Sequence, residues 1–218
     1  MIYLINGSPR RHGNTAVLLQ HAQKGAREAG ADTELIDLYS MAFKGCISCF
    51  ACKLKNGKFH GMCAQNDPLK PVLEKLRHAD AVIMGSPIYF YNISSGMQAF
   101  LERFLFPYDT YGREQPTSYP KSIPTGCIYT MNMTEQAMQR AHIDENLKAG
   151  QFFIEEILGQ TPQILYSYNT YQFPDYSKYD SSKFSEPDKA KWKAEVFPLD
   201  CTRAYELGKR IAEQASIE

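Results

Sequence analysis

Short apolar runs alternate along the chain with stretches in which apolar residues recur every three or four positions. Ile2-Tyr3-Leu4-Ile5-Asn6 reads as a buried strand, and residues 14–29 as a helix carrying Leu18, Leu19, Ala22, Ala26 and Ala29 on one side until Gly30 stops it. Strand patterns return at Thr33–Leu38, Ala81–Gly85, within 122–130, and at 163–166. Helical spacing fills 68–78, 94–106 and 143–158, the last with Phe152, Phe153 and Ile157 as core candidates. Residues 86–92 and 107–121 read as turns. Five strands separated by helices predict an α/β fold with a doubly wound, five-stranded parallel sheet and right-handed crossovers.

Residues 167–198 break this rhythm. Tyr168, Tyr171, Phe173, Tyr176, Tyr179, Phe184 and Trp192 are scattered among Ser, Asp, Lys and Pro with few aliphatic residues, which reads as an arm or lid. A final helix over 200–215 shows Ala204, Leu207, Ile211 and Ala215 at helical spacing, with Asp200 as its N-cap. The expected organisation is a domain over 1–166, followed by an aromatic arm and terminal helix over 167–218 that pack on it or on a partner subunit.

Charge narrows the partners. Lys plus Arg and Asp plus Glu number 24 each in 218 residues, so no global field recruits nucleic acid or an anionic membrane. Small-molecule chemistry is the expected business. No basic segment precedes an apolar one at the start, and no apolar run nears the roughly 20 residues of a membrane span, so a cytoplasmic protein is expected. The five histidines show no pairing at ligand or base spacing, and none is assigned to catalysis.

The first strand breaks into Gly7-Ser8-Pro9-Arg10-Arg11-His12-Gly13-Asn14-Thr15 and runs straight into the first helix. Such a turn leaves several amide groups aimed at one spot, a place for an anion. Ser8, Asn14 and Thr15 add side-chain donors, Gly13 opens the helix, and Arg10 supplies a planar cation suited to phosphate oxygens. A nucleoside-triphosphate loop would need lysine where Asn14 stands, and a dinucleotide fingerprint would need Gly-x-Gly-x-x-Gly. A single phosphomonoester fits better. A phospho-receiver would need acidic residues at these strand ends, where Asn6-Gly7-Ser8 and Gly85-Ser86 stand instead.

In an open sheet of order 2-1-3-4-5, ligands bind at the strands' carboxyl ends where the order reverses, between strands one and three. The loop after strand three, Gly85-Ser86-Pro87-Ile88-Tyr89-Phe90-Tyr91-Asn92, therefore neighbours the phosphate loop. Its stiff Ser-Pro turn and its rings Tyr89 and Phe90 suit a flat heteroaromatic group. Asn132, in the loop after strand four, reaches the same rim.

Taken together, Ile5-Asn6-Gly7-Ser8-Pro9-Arg10 with Gly13-Asn14-Thr15, Cys46-x2-Cys49-Phe50-Ala51-Cys52-Lys53, and Gly85-Ser86-Pro87-Ile88-Tyr89-Phe90 before Phe100-Leu101-Glu102-Arg103 resemble the NADPH-dependent FMN reductase branch of the flavodoxin-like superfamily, which includes iron–sulfur flavoproteins. The resemblance covers residues 1 to about 166. It implies that Ser8, Arg10, Asn14 and Thr15 hold the FMN phosphate and that Pro87, Ile88, Tyr89 and Phe90 lie along the isoalloxazine ring. It further implies an FMN-dependent oxidoreductase that takes electrons from NAD(P)H and passes them to flavin, quinone or a similar acceptor. The alternative is an electron carrier without nicotinamide turnover. A homo-oligomer, dimer or tetramer, is also implied. Gln98 departs from the lysine common in relatives, and residues beyond 166 have no counterpart.

Cys46-x2-Cys49-x2-Cys52 followed by Cys63 leaves three readings open. Thiolates at this spacing can bind a [4Fe-4S] cluster, although Cys63 lies farther off than the compact spacing of iron–sulfur flavoproteins. A zinc site, or packed or redox-active thiols, are the others.

Overall fold

The computed structural model describes residues 1–112 and 117–217. Its strands are β1 (Ile2–Asn6), β2 (Thr33–Asp37), β3 (Ala81–Tyr89), β4 (Asn92–Ile93), β5 (Thr125–Thr130) and β6 (Gln163–Ser167). The helices are α1 (Asn14–Glu28), α2 (Lys70–Leu76), α3 (Ser95–Leu105), α4 (Glu135–Arg140), α5 (Ile143–Leu158), α6 (Glu186–Glu195) and α7 (Phe197–Ala215). Five strands pair in parallel in the order β2-β1-β3-β5-β6. Counting only those five, this is the 2-1-3-4-5 doubly wound sheet that the alternation predicted.

Helices cover both faces, so the strands are apolar on both sides rather than alternating with polar residues. Tyr3, Ile5, Val82 and Met84 point into one core with Phe100, Phe104, Leu147 and Ile154. Ile2, Leu4, Ala81 and Ile83 point into the other, against Leu18, Leu19, Ala22 and Leu207. The second core depends on a close crossing of α1 and α7. A Cβ on Gly208 would stand 1.9 Å from the Ala22 carbonyl oxygen, and one on Gly25 would stand 2.0 Å from that of Tyr205. Two glycines therefore let these backbones touch, and the C-terminal helix packs beside α1 in the helical layer that covers one face of the sheet.

Several expectations need correction. β3 does not stop at Gly85 but runs to Tyr89, because Ser86 and Pro87 keep pairing with Tyr129 and Thr130 before the chain doubles back into β4. Phe152 and Phe153 are exposed and pack edge-to-face on each other; Ile157 alone of that trio is buried. The 167–198 segment is not wholly irregular, since α6 lies within it, started by the Ser185 side chain accepting from the Asp188 amide. Few aliphatics mask this helix in a pattern search, because its buried face is carried by Lys189. α7 begins at Phe197, so Asp200 is not its N-cap. Asp200 is buried in the first turn, accepts from Ser167 Oγ at 2.7 Å, and burial pushes its pKa up. A short helix, α4, also follows β5 unforeseen, capped by Thr134. Of the turn expected at 107–121, residues 113–116 lie outside the described residues. No helix among the described residues is long and apolar enough to cross a membrane.

Candidate mononucleotide site

The loops after β1, β3 and β5 meet at the carboxyl edge of the sheet and enclose one cleft. It is lined by Ser8, Arg10, Gly13, Asn14, Thr15, Pro87, Ile88, Tyr89, Thr130, Met131, Asn132, Thr170 and Gln172. Nine of the ten residues singled out from sequence thus stand together. The tenth, Phe90, sits at the tip of the β3–β4 hairpin, fully exposed, where it and Tyr91 take positive φ (46° and 66°) to close the turn.

Hydrogen bonds hold the first loop rigidly. Asn6 donates to Asp37 Oδ1 at 2.7 Å while its own Oδ1 accepts from the Ser8 amide at 3.0 Å. The Arg10 amide donates to Ser8 Oγ at 3.2 Å and the Gly13 amide to the Arg10 carbonyl at 3.0 Å. The amides of Ser8 and Arg10 are therefore spent in shaping the turn. The free donors lie one step on: α1 opens at Gly13 without a side-chain cap, and the amides of Asn14, Thr15 and Ala16 have no partner among the described residues. No acidic side chain occupies that first turn, so the positive end of the helix dipole is uncompensated. With Arg10 beside it, this edge of the cleft gathers positive charge.

The second loop is fastened to the first. Ser94 Oγ donates to the Gly7 carbonyl at 2.6 Å, and the Gly7 amide donates to the Gly85 carbonyl at 2.8 Å. The same Ser94 oxygen caps α3 by accepting from the Met97 amide at 3.2 Å. Pro87, Ile88 and Tyr89 consequently present a stiff apolar edge to the cleft. Burial pushes the Tyr89 hydroxyl pKa upward, and the nearby Arg10 opposes that shift. Opposite, Asn132 Oδ1 is buried without a hydrogen-bond partner, a donor-seeking atom on the wall of the cleft. An orphaned acceptor of that kind is costly unless a ligand or water satisfies it.

Thr170 and Gln172 were missed in the sequence. The rule that ligands lie beyond strand carboxyl ends could have found them, because they directly follow β6 and must cross the same rim. Thr170 is pinned by its amide and hydroxyl to the Met131 carbonyl at 3.0 and 3.1 Å. Arg10 Nη1 donates to the Gln172 carbonyl at 2.8 Å and Asn14 Nδ2 to the Tyr171 carbonyl at 3.0 Å. Beneath them Lys189, 2% exposed, donates to the Asn132 carbonyl at 2.9 Å and to Asn169 Oδ1 at 2.8 Å. Burial pulls its pKa down to about 8.

Cys46, Cys49, Cys52 and Cys63 line a separate small cavity with Ile47, Phe50 and Phe106. Cys63 Sγ accepts from Arg103 Nε at 2.9 Å, and Cys46 Sγ from the Ser48 amide at 3.4 Å. Arg103 is buried and also holds Asp67 through both carboxylate oxygens, at 2.7 and 3.0 Å. Among the described residues no three His, Cys, Asp or Glu side chains are gathered as a metal-ion site. The thiols share a cavity without closing on one point, so no electron path is assigned through them.

Fold and cleft together define a flavodoxin-like α/β protein with an uncapped helix start and Arg10 at the sheet's switch point. Residues 1–118 match the family model described as NADPH-dependent FMN reductase, and the chain belongs to that family. An iron–sulfur flavoprotein of Methanocaldococcus jannaschii is 36% identical over 99 residues, covering 45% of this chain and 49% of its own. One from Archaeoglobus fulgidus is 34% identical over 104 residues, covering 48% and 44%. The chain thus aligns with about half the length of the curated relatives it matches. Among solved structures, an NAD(P)H:quinone oxidoreductase from Methanothermobacter marburgensis superposes over 95% of this chain and 94% of its own at TM-score 0.66 and 17% identity. An azoreductase from Bacillus anthracis does so over 96% and 98% at TM-score 0.65 and 12% identity. These likenesses are likenesses of fold.

Proposed function

We propose that the protein is an FMN-dependent oxidoreductase that draws electrons from NAD(P)H and delivers them to a second acceptor such as a flavin or quinone. The observation that carries this reading is the cradle itself: an uncapped helix start, Arg10 and three hydroxyl or amide side chains at one end of a cleft whose other walls are Pro87, Ile88 and Tyr89. A phosphomonoester attached to a flat ring system satisfies both ends. Bound there, FMN supplies reversible hydride and electron transfer that no side chain of the chain provides.

The residues' own work is then to grip and orient. Ser8, Asn14, Thr15 and the first-turn amides of α1 hold the phosphate, and Arg10 neutralises part of its charge. Asn132 lines the opposite wall, and its buried, unpartnered Oδ1 would accept an N–H group of the ligand on a small rotation of the side chain. The hairpin tip, with Phe90 and Tyr91 exposed, borders the open side through which a nicotinamide and an acceptor would reach the ring. No general base is needed. Specificity between NADPH and NADH, and the identity of the acceptor, belong to that open side.

Anaerobic mixing of the purified protein with FMN and then NADPH or NADH tests the proposal. Prompt bleaching near the flavin band, with recovery on adding a quinone or ferricyanide, is expected; an unbleached spectrum with both nucleotides refutes it. That negative outcome would favour the electron-carrier reading, which the iron–sulfur flavoprotein names of the relatives support. Iron analysis of anaerobically prepared protein separates a cluster-bearing carrier from a simple flavoprotein.

A further inference from the structure

We infer that the arm following β6 is a selectivity element: its backbone shuts the phosphate end of the cleft, so that a flavin mononucleotide is accepted and a flavin dinucleotide is refused. This rests on the flavin reading above and assigns a role to a segment that lies outside the family match, which ends at residue 118.

Two side chains of the phosphate loop are already turned outward onto the arm. Arg10 Nη1 reaches the Gln172 carbonyl at 2.8 Å and Asn14 Nδ2 the Tyr171 carbonyl at 3.0 Å. Arginine has five N–H donors, so one bond to the arm leaves others for a phosphate inside. A monoester ends within the cradle and gains from this arrangement, because the arm fixes both donors in place. A dinucleotide would continue outward through a second phosphate and meet the arm's backbone, where Gln172 lines the cleft and the Gln172 and Tyr171 carbonyls sit against Arg10 and Asn14. Carbonyl dipoles facing an anion repel it, and one donor each of Arg10 and Asn14 is already held by these carbonyls.

The arm is too well fastened to step aside freely. Thr170 bonds the Met131 carbonyl twice, and the Gln172 amide donates to the buried Tyr176 hydroxyl at 3.1 Å. Tyr171 donates to Glu186 at 2.9 Å, and Phe173 packs on Tyr176 and stacks on Tyr179 with ring centres 4.2 Å apart. Lys189 ties the whole to the loop after β5. The aromatic richness that marks this segment in the sequence is what lets so short an arm hold a fixed path without an aliphatic core.

Calorimetric titration of the full chain with FMN, FAD and riboflavin is the test. FMN is expected to bind at least about a hundredfold more tightly than FAD. In Y176F/K189M, which frees the Gln172 amide and the arm's anchor, the discrimination is expected to fall at least about tenfold, chiefly through tighter FAD binding. Y171F, which loses only one hydroxyl at the arm's outer edge, gives a milder loosening should the double variant not fold. Equal binding of FMN and FAD by the unaltered protein overturns the inference while leaving the flavin reading intact. Undiminished discrimination in folded variants overturns it too. Binding of neither flavin overturns the flavin reading and the inference with it.

Discussion

Replacing Lys189 with methionine, which keeps the side chain's length and removes its proton, gives the sharpest physical test of the arm. In the unfolded chain this lysine holds its proton up to the ordinary value near 10.5, whereas burial brings the folded value to about 8. Below pH 8 both states bind the proton, and the folded state bears the full cost of a buried ammonium. Between 8 and 10.5 the unfolded state binds more protons than the folded one, so stability rises with pH through that window. The span from 10.5 to about 8 corresponds to roughly 3 kcal/mol in all. Of this, about 2 kcal/mol is recovered between pH 7.5 and pH 9.5 by the same linkage relation. A neutral amine still has two hydrogens, enough for both the Asn132 carbonyl and Asn169 Oδ1, so deprotonation need not break the anchor. Urea unfolding followed by far-ultraviolet circular dichroism at both pH values, on the natural chain and on K189M, measures the difference of differences. Tyrosines, cysteines and other lysines titrate in both proteins and cancel. Parallel pH dependence in the two proteins would refute the account of Lys189 as a buried, desolvated amine.

Other expectations follow from single contacts. R10A is expected to weaken FMN binding by about ten- to a hundredfold in a fluorescence-quenching titration, since it removes the cleft's one lining cation. D67N should cost about 3–5 kcal/mol in denaturant unfolding, because it leaves the buried Arg103 guanidinium without its counter-charge. Arg103 holds the Asp67 carboxyl below its ordinary 3.8, so this contribution is complete above that value and drains away as pH falls through the lowered one. G208A should lower the melting temperature by several degrees in calorimetry, because its methyl would meet the Ala22 carbonyl and overpack the α1–α7 crossing by about 1–3 kcal/mol.

What could be read in advance follows from which forces are local. The five parallel strands were legible because strands covered by helices on both faces need continuous apolar runs such as Leu4-Ile5 and Val82-Ile83, set apart from the helices by their shortness and flanking turns. The cradle was legible because glycine, serine, asparagine and threonine at a strand-to-helix turn have a local stereochemical purpose. The run of β3 through Pro87 was hidden, since a proline reads as a break while its partner strand, which permits the extension, lies some forty residues away. α6 was hidden for a related reason: its one buried side chain is a lysine, and a lysine is buried only where distant carbonyls receive it. Asp200 misled in the opposite sense, being a good capping residue that is instead buried against Ser167 from β6.

On the proposed reading, a chain of zero net charge would hold a phosphate dianion through where its dipoles point rather than through how many cations it has. The cleft's lining contains a single formal charge, Arg10, and no carboxylate. The rest of the attraction comes from the uncapped start of α1, whose three free amides are fixed in direction by the loop's internal bonds and cost nothing to reorganise when a ligand arrives. Such a field is short-ranged: it fades within the first helical turn and does not gather anions from afar. Discrimination therefore has to be made at contact distance, by groups that touch the ligand's end. On the inference drawn for the arm, the Tyr171 and Gln172 carbonyls, held against Asn14 and Arg10, are the groups that would meet the charge of a longer ligand.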